Sequence, residues 1–196
     1  MPRFVDHAAR RDLVARAAAD LAADEGLDAL TVRRVAQAAG FSTTVVSHYF
    51  TDRRDLMVAT YRAAAARSSE RFDAALVAAT TPLQACLEAL LPLDAERRRD
   101  WRIWFAFWAM ALADEQLAQE QVARVRSARG RVTAVLELEQ AQGRVRPGLD
   151  LPDVAYGLLV LVHGLGTQAV FDGGHWTPAR QRGAVRAELA RLLPEP

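Results

Sequence analysis

Apolar residues recur along this chain at spacings of three and four, and no period of two persists. That spacing places side chains on one face of a helix, so the pattern predicts helices throughout and no strands. Val32, Val35, Ala36 and Ala39 fall at i, i+3, i+4 and i+7. Gly40 follows, where a helix end takes left-handed backbone geometry, and Ser42 suits the N-cap of a second helix. In that helix Val45, Val46, Tyr49 and Phe50 share one side, which turns Thr43, Thr44, Ser47 and His48 outward. Asp52 and Asp55 resemble a capping pair for a third helix, with Arg53 in its first turn.

Proline and glycine divide the rest. Helices are expected from Arg53 to about Ala79 and from Thr81-Pro82 to about Leu93, the second ended by Pro92. Two more run from Asp94 to Ala113 and from Asp114 or Glu115 to Gln142. Gly143 and Pro147-Gly148 mark a loop, and a strongly apolar helix runs from Pro152 to Phe171. After Gly173-Gly174 a last amphipathic helix spans Pro178 to Leu193.

Two amphipathic helices around a glycine also describe a plain αα-hairpin. The outward residues add chemistry to the spacing. Thr43, Thr44, Ser47 and His48 are short donors and acceptors near a helix N-terminus, suited to base edges and phosphate oxygens in a major groove. Gly40-Phe41-Ser42, then Tyr49-Phe50, then Arg53 and Leu56 resemble the DNA-binding signature of the TetR family of bacterial repressors. Leu13, Ala17 and Leu21, before Gly26, are similar to the bracing first helix of that family. Ser42-Thr43, Ser47 to Phe50, Trp104 to Ala109, Tyr156-Gly157-Leu158 and Gly164-Leu165 resemble its BetI-type choline-responsive subgroup.

The resemblance implies an all-α fold. Residues 1–56 would form a three-helix helix-turn-helix domain, and residues 57–196 a helical ligand-binding and dimerisation domain. It implies a repressor that binds double-stranded DNA at a palindromic operator as a homodimer and is released by a small-molecule effector, with choline-like compounds as one class. Thr31, Arg33, Ser42, Thr43, Thr44, Ser47, His48, Tyr49 and Arg53 are the expected DNA contacts. The alternative is a helical dimer that binds a small molecule or protein and no operator.

Charge pulls the other way. Residues 1–56 hold eight arginines and eight acids, not the basic excess usual in a DNA-binding domain. Arg33, Arg34, Arg53 and Arg54 nevertheless flank the recognition helix, so a salt-sensitive complex with few phosphate contacts is expected. The single cysteine, Cys86, excludes an intramolecular disulfide and fits a reducing compartment. The start of the chain, with Arg3, Asp6, Arg10, Arg11 and Asp12, lacks an apolar signal region. The apolar stretch Val154 to Val162 is short for a membrane span and ends at His163. A cytoplasmic protein without a membrane segment is therefore expected.

Ala155, Leu158, Leu159, Val162 and Leu165 form an apolar band, and Gly157, Gly164 and Gly166 allow close backbone approach. The last two helices are thus read as a dimer surface, against the plainer reading of a monomer core. Trp101, Trp104, Phe105 and Trp108 make an aromatic stripe at helical spacing. It is either core or the wall of a pocket whose ring faces attract a quaternary ammonium. Tyr61, Tyr156 and His163 are candidate polar groups beside it. The BetI subgroup carries an acid before the same Gly-Leu pair, where this chain has His163, so His163 either meets a different ligand or sits at the dimer interface. His7, His48, His163 and His175 lack partners at metal-ligand spacing, and no nucleophile or phosphate-cradling motif is present. No catalysis, metal or cofactor is expected.

Overall fold

Most of the described helix starts fall where a side-chain oxygen takes a backbone N–H that the helix itself leaves unpaired. The computed structural model describes residues 7–193, so Arg3 and Asp6, cited above for the chain start, lie outside the described residues. Helix α1 spans His7–Glu25, α2 Val32–Ala39, α3 Thr43–Tyr49 and α4 Arg53–Ala78. Thr31 Oγ1 accepts the Arg34 N–H at 3.3 Å, and Ser42 Oγ accepts the Val45 N–H at 3.3 Å. Asp52 Oδ1 accepts the Asp55 N–H at 2.7 Å, the cap the sequence predicts, while Asp55 Oδ2 takes the Thr51 N–H at 3.3 Å, one residue before the Asp52 N–H that a reciprocal pair would use. Gly40 ends α2 at φ 69° and ψ 26°. Its N–H reaches Gln37 O at 3.3 Å, and the Phe41 N–H reaches Ala36 O at 2.9 Å, the two bonds of a Schellman end.

Helices α5 (Pro82–Ala89), α6 (Ala95–Ala111), α7 (Glu115–Ala141), α8 (Leu151–Phe171) and α9 (Pro178–Leu189) follow, with short 3-10 turns at Leu27–Ala29 and Ala190–Leu192. Among the described residues there is no strand. Helix α5 stops at Ala89, short of the expected Leu93. Pro92 pushes Leu91 out of helical backbone, and Leu91 and Leu93 are buried in the link to α6.

The chain forms two compact units. One runs through Arg67 and takes in Arg102–Leu117; the other comprises Ser68–Trp101 and the chain from Ala118 onward. Helices α4, α6 and α7 contribute residues to both. In the first unit Val35 and Ala36 of α2, Val46 of α3 and Phe50 are buried with Val14, Ala15, Ala18, Ala19 and Ala22 of α1. This corrects the α1 stripe read from the sequence: Leu13 is 56 % exposed, and Ala17 and Leu21 are only partly covered. The packing face is one residue further round, on alanines that let α1 and α2 approach closely, and the larger leucine is left outside.

In the second unit α5, α8 and α9 pack on one another. Helix α8 turns Ala155, Leu158, Leu159, Val162, Leu165 and Ala169 inward and Tyr156, Val160 and Phe171 outward. The apolar band expected at a dimer surface is therefore the face buried within the subunit. A second expectation also changes: the apolar run does not end at His163 but continues to Phe171. An imidazole is readily accommodated in a helix, and Asp153 is the sole formal charge in the span, so these 21 residues are long and apolar enough to cross a membrane by length and composition.

The three glycines of α8 separate into two kinds. A Cβ at Gly166 would lie 2.2 Å from Trp101 Cη2, so Gly166 makes room for the indole within the unit. Gly157 and Gly164 are exposed and have nothing within 4 Å of such a Cβ.

Candidate functional site

The first unit presents α3 outward. Val46 is fully buried and Phe50 is 2 % exposed, which anchors one side of the helix. Thr43, Thr44, Ser47 and His48 are all exposed on the other. Ser42 caps the helix, so its hydroxyl already accepts one backbone N–H, and Thr31 does the same for α2. Tyr49 is half-buried, and its hydroxyl shares a hydrogen bond with His7 Nδ1 at 3.1 Å. The His48 ring stands edge-on to Tyr49 at 5.3 Å between centroids. His7 escapes a reading of the sequence because it lies 42 residues before Tyr49.

The arginines around α3 are largely matched by acids. Arg34 pairs with Glu25, Arg54 with Asp114 at 2.5 Å, and Arg11 with Asp55 at 2.8 Å. Arg11 also lies over the Phe50 ring, 5.0 Å from its centroid. Arg53 stands 3.5 Å from Asp28 and donates to Leu27 O, with its side chain 66 % exposed. Arg33 is exposed at the start of α2. These ion pairs tie α1, α2 and α4 together and lower the net field at the surface.

The six candidate effector residues divide between the two units. In the first, Tyr61 is buried and stacks on Phe107 at 3.7 Å and 6°. Trp104 is 6 % exposed, whereas Phe105 and Trp108 are partly open and meet edge-on at 5.5 Å. In the second, Trp101 is 1 % exposed, donates its Nε1–H to Leu90 O at 3.0 Å, and meets the His163 ring edge-on at 6.1 Å. Burial lowers the His163 pKa, and the positive charge of Arg124 lowers it further, so the ring is neutral at neutral pH. Trp101 is therefore a core residue with a satisfied N–H. Tyr156, the further candidate, is exposed on α8. Among the described residues no group of three His, Cys, Asp or Glu side chains gathers to hold a metal.

Comparison with known proteins agrees with this geometry. Residues 14–60 match the family model for bacterial regulatory proteins of the tetR family, and residues 79–194 match that for the C-terminal part of BetI-type transcriptional repressors. The BetI regulator of Cronobacter sakazakii is 30 % identical over 182 residues, covering 88 % of this chain and 85 % of its own. The regulator PksA of Bacillus subtilis is 26 % identical over 175 residues, covering 88 % of this chain and 84 % of its own. A transcriptional regulator from Saccharomonospora viridis, solved in complex with choline, shares the fold with a TM-score of 0.80 at 20 % identity, covering 96 % of this chain and 99 % of that one. The capped helix-turn-helix and the helices that follow it are thus those of a known lineage: this chain belongs to the TetR family, with a BetI-type C-terminal domain, and is a DNA-binding transcriptional repressor.

Proposed function

We propose that the chain represses as a homodimer on a palindromic operator, with α3 of each subunit in the major groove of one half-site. The half-sites would lie one helical turn apart, about 34 Å. The observation that carries this is the exposed row Thr43, Thr44, Ser47 and His48 on a capped helix anchored by Val46 and Phe50. Those four residues would read base edges. Thr31, Arg33, Ser42, Tyr49 and Arg53 would position the backbone through phosphate contacts. The exposed face of α8, with Tyr156, Gly157, Val160 and Gly164, would pack on the partner subunit together with α9.

The effector is a small molecule bound among the helices beyond the helix-turn-helix. Support comes from the BetI-type C-terminal match and from the partly open edge-on pair Phe105 and Trp108. Choline-like cations are the class to try first, and ring faces would attract them. Trp101 is packed into the core, and the positive charge of Arg124 beside His163 disfavours a cation there, so Trp108 is the better candidate. Ligand would weaken operator binding only as far as it prefers the non-binding state.

One experiment tests both halves. Operator affinity is measured for wild type, Tyr49→Ala and Arg53→Gln, each with and without choline. Both variants should bind at least tenfold more weakly, and choline should release the wild-type protein. Unchanged affinity in both variants removes the assignment of those positions. Unchanged wild-type affinity in saturating choline removes the choline-like class.

A further inference from the structure

The second unit contains a cleft whose chemistry neither the DNA interface nor the aromatic residues use. Ser68, Ser69 and Phe72 of α4 line it with Arg124, Ser127 and Arg131 of α7, and no acid does. Its volume is about 40 Å³, room for the few atoms of a carboxylate or phosphate group.

Three observations converge there. Ser68 is fully buried, and its Oγ has no hydrogen-bond partner in the protein. A hydroxyl both donates and accepts, and leaving one unpaired away from water costs stability. Arg131 is held in place, its guanidinium 4.3 Å from the Phe72 ring centroid and bonded to Asp73 and, at 3.4 Å, to Ser69 O. Both bonds use Nη2, which leaves its other N–H groups for a further acceptor. Arg124 brings a second positive charge to the same cleft, and that charge is felt at His163.

We propose that this cleft binds an oxyanion, the carboxylate or phosphate group of a small molecule. Arg124 and Arg131 supply the charge, Ser68 donates its O–H from within, and Ser69 and Ser127 add hydroxyls nearer the rim. Guanidinium pairs favour such groups because their planar N–H forks match oxyanion geometry. The site uses none of the residues assigned to the effector, so it stands whether or not choline acts on this protein.

Calorimetric titration of the full chain with benzoate and, separately, with inorganic phosphate tests it, with ionic strength held constant by chloride. Saturable binding of at least one anion is expected, weakened tenfold or more in Arg124→Gln, partly restored in Arg124→Lys and weakened severalfold in Ser68→Ala. Benzoate binding alone identifies a carboxylate site, and phosphate binding alone a phosphoryl site. The Ser68→Ala variant removes one oxygen and no charge, so it keeps the test open if Arg124→Gln loses its fold by circular dichroism. The proposal is overturned if neither anion binds wild type, or if every folded variant binds as wild type does.

Discussion

His163 illustrates at the scale of one residue what burial does to chemistry. Desolvation and then the Arg124 charge lower its pKa from 6.5. The unfolded chain therefore takes up a proton before the folded one does. Stability should fall as pH drops below about 6.5, by at most about 1.4 kcal/mol for each pH unit, and level off below the folded value. Urea unfolding at pH 7.5 and pH 5.5 should show this loss in wild type and a smaller one in His163→Gln. Cys86 tells a parallel story. Burial raises its pKa to about 11, and its Sγ–H points to Phe72 O at 3.6 Å. The reactive thiolate is thus scarce at neutral pH. Cys86 should react with a thiol reagent at pH 8 at least tenfold faster in urea than in the native protein. Neither property is readable from the sequence, which shows a histidine in an apolar run and a lone cysteine. Both depend on residues distant along the chain.

Among the elements, helix ends were the most legible, because capping is local. Ser42, Asp52 and Gly40 do what their spacing predicts, and Thr31 caps α2 in the same way. Ser42→Ala should cost about 1 kcal/mol, and Gly40→Ala about 1–2 kcal/mol through its positive φ, both measurable by thermal unfolding. Faces were less legible. The family resemblance named Leu13 over its alanine neighbours on α1, and the close approach of α2 reversed that order. On α8 three glycines look alike in sequence, but the Trp101 indole occupies the space beside one of them. Gly166→Ala should destabilise the protein by about 1–3 kcal/mol through that clash. Gly157→Ala and Gly164→Ala meet nothing within the subunit. They should leave the monomer as stable or, by helix propensity, up to about 1 kcal/mol more so, while weakening the dimer if α8 packs on its partner. Analytical ultracentrifugation separates the two effects.

At the scale of the whole molecule the charge pattern governs how DNA is met. Arg34, Arg53 and Arg54 each have an acid within 3.5 Å, so few arginines near α3 are left to neutralise phosphates alone. Operator affinity should fall with salt along a slope no steeper than about −5 in log K against log[salt]. Binding titrations from 50 to 300 mM chloride measure it, and a slope near −10 would contradict the ion-paired surface.

By itself, the sequence determined the helical architecture, the helix-turn-helix with its caps and the family, because periodicity, turn chemistry and short motifs are carried by neighbouring residues. Tertiary structure alone decided which side of α1 and α8 is inside, that Trp101 is core, that His7 meets Tyr49 and that Ser68 shares a cleft with two arginines. Those outcomes depend on which distant side chains compete for the same space, and a one-dimensional pattern cannot weigh that competition.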